Sequence, residues 1–373
     1  MNLPALPVLS RKGAAARRWP SSSKAPRARS SARPAPKARP PLLKSALWPA
    51  RNYRRPTSKA SWKRSGSASS TATRRSESGI AAAIWATENP RVSTKLGAIQ
   101  TSAGGARAKA ILAWNEERGE FHSGQIKVGP GYTQWLFKFD GVKKSGDQGL
   151  ADPQGFGRLE YACYLLATAA GVTMSRSRLH EEGGRAHFMT QRFDRVGTVA
   201  TGQGRKLHML SLGALRHFDF NQPRGYSYEQ ALETIRGLDL GRAALEQMVR
   251  RAILNVMIRN QDDHVKNIAF LMNQKGVWRL APAFDVVYAH NPEGAWTSAH
   301  QMTINGKADG FEIEDIRQLG RMADLKPRKT EAIVDEIGAA TDRWGEFCDR
   351  AGVDEKMATR ARAGVWRYLA GRI

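Results

Sequence analysis

Asn260-Gln-Asp-Asp-His-Val-Lys-Asn267, followed downstream by Ala281-Pro-Ala-Phe-Asp285, carries most of the chemical information in this chain. Asp262 and Asn267 stand five residues apart, and Asp285 comes after two short apolar runs. Moving a γ-phosphoryl group asks little covalent chemistry of a protein. It needs metal ions to neutralise the phosphates, a carboxylate to orient the acceptor hydroxyl, and a cation on the α- and β-phosphates. A carboxylate ahead of a metal-binding amide at this spacing, with a second metal-binding carboxylate on a later strand turn, fits that chemistry. Magnesium takes few protein oxygens and completes its shell with phosphates and water, so one Asp and one Asn suit it. Taken alone, the first block also reads as a polar loop with a helix-capping aspartate; His264 and the downstream Asp285 tip the balance. His264 reads as a brace of the loop, and Asp263 as a bystander to Asp262.

The surrounding pattern is that of a mixed chain. Upstream, Leu245, Met248, Val249, Ala252, Ile253 and Val256 predict a helix over 243–258. Downstream, 268–272 and 277–280 predict a hairpin turning through Lys275-Gly276. Ile333, Ile337, Ala340, Trp344 and Phe347 form an apolar stripe of core packing in a helical C-terminal part. Towards the N-terminus, Ser102-Ala-Gly-Gly-Ala-Arg-Ala-Lys109 is a glycine-bearing turn able to drape over phosphates. Strands are expected over 110–114, 134–139 and 186–193, with a helix over 158–170. Lys138 lies in an apolar strand, where an unpaired ammonium is costly, and Glu160 on the following helix is its expected partner.

The chain has 373 residues, 41% of them hydrophobic, enough for a substantial core. Its formal net charge of +25 suggests nucleic acid until it is mapped along the sequence. Residues 1–76 hold 19 Lys and Arg and no acid; 59 less 19 leaves 40 basic residues against 34 acidic ones elsewhere. The basicity therefore belongs to an Arg-, Ser- and Pro-rich segment that buries too little apolar surface to order itself. Three readings fit that segment: a basic tail for nucleic acid or acidic partners, an organelle transit peptide, or a misplaced start or shifted frame. Cys163 and Cys348 are far apart and outside metal-type spacings, which excludes a disulfide scaffold and suits a cytoplasmic setting. No apolar run approaches the roughly 18–20 residues that span a bilayer.

Six blocks now stand in order: Ser102–Lys109, Leu136-Phe-Lys138-Phe, Glu160-Tyr, Gln191-Arg-Phe-Asp-Arg195, Asp262–Asn267 and Leu280–Asp285. Together they resemble the HipA-type serine/threonine kinases, the toxin halves of bacterial toxin–antitoxin pairs. The resemblance implies an α+β, two-lobed protein-kinase-like fold, with a small β-rich N-lobe over 78–195 and a mostly helical C-lobe over 196–373. A disordered basic segment, 1–77, precedes them. It further implies ATP and Mg²⁺ as cofactors, Asp262 as catalytic residue, and Asn267 and Asp285 as metal ligands. ATP would be held by Ser102, Ala103, Gly104, Gly105, Ala106, Lys109, Lys138, Glu160 and His264, with backbone contacts to adenine from Gln191, Arg192 and Phe193. Ser102 matches the serine such kinases phosphorylate on themselves, where the added charge beside ATP phosphates is repelled. A protein substrate among translation components and a small helix-turn-helix antitoxin, through it DNA, are the implied partners.

One departure is visible: the β-rich subdomain that the family carries ahead of the phosphate loop has no counterpart in 79–100. The Asp-x-His-x-x-Asn pattern is similar to that of phosphatidylinositol kinases too, which keeps a lipid or small-molecule kinase as an alternative. A pseudokinase and a nucleic-acid-binding module with a basic tail are the alternatives from other classes.

Overall fold

The computed structural model describes residues 109–124, 128–141, 154–196 and 205–365, all within one unit, Thr71–Ile373. The basic segment 1–77, the stretch 79–100 and the loop Ser102, Ala103, Gly104, Gly105, Ala106 lie outside the described residues.

Strands β1 (Lys109–Asn115), β2 (Glu120–Ser123), β3 (Tyr132–Lys138), β4 (Ser177–Glu182) and β5 (Arg185–Gln191) build a five-stranded sheet in the order β2-β1-β3-β5-β4. Every pairing in it is antiparallel. The alternation of a strand sends Ala110, Leu112, Trp114, Trp135, Phe137 and Met189 to one apolar cluster. Ile111, Leu136, Lys138 and Phe188 face the other way, into a cleft. Gly183 and Gly184, at φ 59° and 76°, join β4 to β5 as a two-residue turn whose twist matches the hairpin. The strand expected over 186–193 runs over Arg185–Gln191, although the Arg192 N–H still donates to Gln134 O of β3.

Helix α1 (Phe156–Ala169) follows β3 and packs on β5 so closely that a Cβ at Gly157 would lie 2.0 Å from the Ala186 carbonyl oxygen. Its N-terminus has no side-chain cap of its own. Asp140 supplies one from beyond β3, accepting from Gly155 N–H at 2.9 Å and Gly157 N–H at 3.2 Å, where a carboxylate suits the helix dipole. His187 Nδ1 in turn accepts from the Asp140 N–H at 3.0 Å.

The remaining helices are α2 (Leu212–Arg216), α3 (Tyr228–Gly237), α4 (Gly241–Met257), α5 (Ile313–Met322), α6 (Pro327–Asp342), α7 (Trp344–Ala351) and α8 (Glu355–Val365). Their apolar faces merge with that of α1 into the main core. The stripe from Ile333 to Phe347 is buried along its length even though the helix breaks at Arg343, between α6 and α7. Cys163 of α1 and Cys348 of α7 are free thiols within this core. No helix among the described residues is long and apolar enough to cross a membrane.

The expected hairpin is present as β10 (Ala269–Met272) and β11 (Trp278–Leu280), and β8 (His208–Ser211) adds a third strand beside β10. Short ladders pair β6 (Arg195–Val196) with β7 (Arg205–Lys206) and β9 (Tyr226–Ser227) with β12 (Met302–Thr303).

Candidate active site

The end of β3 brings Lys138 between two carboxylates. Its Nζ bonds to Glu160 of α1 and to Oδ1 of Asp285. Burial alone would lower the lysine's pKa, but Asp285 and Glu160 outweigh it and hold the ammonium above its ordinary value. The converse holds at Asp285, where burial favours the neutral acid. Lys138 reverses that, with Lys109 adding to it, and the carboxyl stays well below the usual range. Lys109 reaches this position because it stands directly opposite Lys138 in the β1–β3 register.

Asp285 is held by its backbone at φ 53°, in the left-handed region that Asp tolerates better than bulkier residues. The segment leading to it is pinned repeatedly. Ala281 N–H donates to Ala269 O at 2.9 Å, Ala283 N–H to Thr173 O at 2.8 Å, and Arg251 Nη2 to Ala281 O at 2.7 Å. Sequence reading missed Arg251, which looked like an ordinary polar residue on the α4 helix.

The loop after α4 runs against this segment. Ala289 N–H donates to Arg259 O at 3.1 Å, and Asn260 Nδ2 to the Asp285 carbonyl oxygen at 3.3 Å. Asp262 projects with 52% of its side chain exposed, 3.7 Å from His264 Nε2. Asn267 donates its Nδ2 to the Asp262 carbonyl at 2.8 Å. His264 Nδ1 is buried without a hydrogen-bond partner.

Asp263 has a structural role that the sequence did not announce: it is buried and accepts from Tyr228 OH at 2.8 Å and Gln301 N–H at 2.8 Å, with His300 Nδ1 at 3.0 Å. Asn255 bonds Tyr228 OH at 2.8 Å and accepts from Asn260 at 3.0 Å, so the network runs from Asp263 to the backbone of Asp285. Asp263 thus braces the loop from its buried side. Its partners come from segments far off in sequence, which explains why local reading missed it.

A cavity of about 250 Å³ joins the sheet to this region. Lys138, Glu160 and Asp285 line it together with Gln191, Arg192 and Phe193, while Ile111, Leu136, Phe188 and Met209 give it apolar walls. Asp262, His264 and Lys109 do not line it, and Asn267 lines a smaller neighbouring void. The Gln191 N–H is committed to Arg176 O and the Arg192 N–H to Gln134 O, each at 2.8 Å. Arg192 grips Asp194 with two bonds of 2.9 and 2.7 Å. Burial would raise the Asp194 pKa, yet Arg192 and Arg195 bring it below the ordinary value.

The donor set suits a hard cation: a carboxylate at Asp285 and an amide oxygen at Asn267. Among the described residues no group of three or more His, Cys, Asp or Glu forms an all-protein metal cage. The apolar walls fit a flat heteroaromatic base, with the Lys138 ammonium set to meet anionic groups.

Comparison with known proteins agrees with this architecture. The model of the HipA-like C-terminal domain matches residues 101–344. None of the curated proteins compared gives a match. A chain of the Shewanella oneidensis MR-1 toxin–antitoxin complex of HipA, HipB and operator DNA superposes with a TM-score of 0.56 at 18% identity, covering 76% of this chain and 70% of that one. That likeness is one of fold. The Helicobacter pylori proinflammatory kinase CtkA superposes with a TM-score of 0.43 at 13% identity, over 72% of this chain and 95% of that one, too distantly to support an argument. With its sheet, α1 and helical core arranged as a kinase-like fold, the chain belongs to the HipA-like C-terminal domain family.

Proposed function

We propose that this chain is an ATP-dependent serine/threonine protein kinase of HipA type. The observation that carries the reading is Lys138 shared between Glu160 and Asp285 at the end of an apolar cleft. An ammonium fixed in this way meets phosphate oxygens without having to be ordered first, which is the positioning that phosphoryl transfer needs. Asp285 and Asn267 would hold Mg²⁺, which when bound neutralises charge on the phosphates. Asp262, exposed beside them, orients and accepts the proton of the incoming hydroxyl. With the Gln191 and Arg192 donors already spent, a backbone donor to adenine falls to Phe193. Ser102 to Ala106 and Lys109 would cover the phosphates, with Ser102 the site of self-phosphorylation. Membership of the HipA-like family supports that assignment.

The likeness to a HipA–HipB–operator DNA complex supports an antitoxin as partner; this reading takes that partner to be a small helix-turn-helix protein and the substrate to be a cytoplasmic protein. The test is incubation of the purified full chain with labelled ATP and Mg²⁺, followed by mass-spectrometric mapping, with Asp262→Asn as control. Label on Ser102, absent in the control, is the expected result. Label in both chains alike removes Asp262 from the chemistry. Transfer to a lipid or small molecule, with none to protein, replaces this reading with its alternative.

A further inference from the structure

Arg251 is a buried cation that the proposed chemistry leaves without a task. It lies within α4, and among the described residues no carboxylate forms an ion pair with it. Burial alone lowers its pKa, to about 10. A desolvated guanidinium with no counter-ion is costly, so its retention calls for a reason. One hydrogen bond is direct, from Nη2 to the Ala281 carbonyl at 2.7 Å. Its Nε–H, also buried, has no partner.

Arg251 and Asn260 both line a void of about 20 Å³, together with Asn255, Asp263 and Asn267. Asn260 Oδ1 is likewise buried and without a hydrogen-bond partner, while its Nδ2 reaches Asn255 and the Asp285 carbonyl. A buried donor and a buried acceptor thus belong to residues lining one void, otherwise largely apolar, that is large enough for one water, which needs roughly 10–15 Å³. The planar fork of arginine sets two N–H directions at a fixed angle, which neither lysine nor glutamine reproduces.

We propose that Arg251 is a positioning residue, holding the Ala281 carbonyl directly and Asn260 through one buried water. It would thereby fix the segment that carries Asp285 against the loop that carries Asp262 and Asn267. The consequence for turnover rests on the kinase reading above; the geometric part does not.

The experiment takes the full chain with Arg251→Met and Arg251→Lys and follows backbone hydrogen exchange alongside ATP turnover. In Arg251→Met, exchange should quicken by about tenfold or more in 260–267 and 281–286 with the other helices unchanged. The kcat should fall by about a hundredfold while KM for ATP moves little, as expected of a small misplacement of reacting groups. Arg251→Lys restores one donor, so it should protect 281–286 again but not 260–267. If Arg251→Met fails to fold, that split in Arg251→Lys carries the test. Exchange in Arg251→Lys that is native in both segments, or that quickens evenly along the chain, overturns the positioning role. A wild type without turnover, with the exchange split still present, defeats the kinase reading and leaves the positioning role standing.

Discussion

Lys109 and Lys138 stand opposite each other across β1 and β3, so their two ammonium groups leave the same face of the sheet. Directly opposed like charges destabilise a strand pair unless an anion lies near both. Asp285 does, its acidity strengthened by each of them against the effect of burial. A polyphosphate would profit from the same pair. Lys109→Ala is expected to weaken ATP binding by about three- to tenfold, on the order of 1 kcal/mol, and to make that binding less sensitive to salt. Calorimetric titration at two ionic strengths checks it; unchanged affinity would detach Lys109 from the nucleotide.

Removing the shared cation is a harsher change. Lys138→Met leaves Glu160 and Asp285 without the cation they share, with Lys109 still acting on Asp285. The expected cost is about 3 kcal/mol of folding stability, together with loss of phosphoryl transfer. Adding Glu160→Gln to that variant should return part of the stability and none of the activity. Urea unfolding of the single and double variants measures both statements.

The two neighbouring aspartates should behave oppositely. Asp262→Asn is expected to leave stability within about 0.5 kcal/mol, because its side chain is largely exposed. Asp263→Ala strands the hydroxyl of Tyr228 and the N–H of Gln301, and should cost about 3 kcal/mol or more. Its activity would then be lost through unfolding, so thermal melts alongside turnover assays separate the two cases.

Acid should act on the fold before it reaches the carboxylates. Burial, with His180 and Arg185 nearby, pushes the His187 pKa down to about 3. Between the ordinary histidine value of about 6.5 and that lowered one, the unfolded chain binds a proton that the folded chain does not. His187 thus supports the fold fully above pH ~6.5, and stability falls with pH below it by up to about 1.4 kcal/mol per unit. The Asp285 contribution, from a lowered carboxyl, holds above pH ~4 and is lost only as pH falls further. Stability curves for His187→Asn, which keeps an acceptor for the Asp140 N–H, should show a shallower decline below neutrality, the remainder coming from His180 and His290, whose pKa values burial also lowers.

Much of this architecture could be read locally. The strands around Leu112 and Phe137, the α4 helix and the hairpin after Asn267 carry their periodicity in adjacent residues, and a lone lysine in an apolar strand asked for a partner that Glu160, 22 residues on, provides. What escaped was non-local or polar. Strand β4, Ser177-Arg-Leu-His-Glu-Glu182, is too polar to announce itself and owes its place to the glycine turn into β5. The Asp140 cap on α1 depends on a carboxylate brought back from the end of β3. Asp263 acquires its meaning only when Tyr228, His300 and Gln301 converge on it. The break at Arg343 was invisible because the apolar stripe continues across it in helical phase.

Cys163 follows Glu160 by less than one turn of α1, and burial pushes its thiol up to about 12, as it does that of Cys348. Alkylating reagents consume thiolates that they can reach. At neutral pH neither thiol offers one while α1 stays seated. The rate at which a maleimide consumes Cys163 therefore becomes a stopwatch for excursions of the helix that carries Glu160. It runs on native residues, and a ligand that steadies the cleft should slow it.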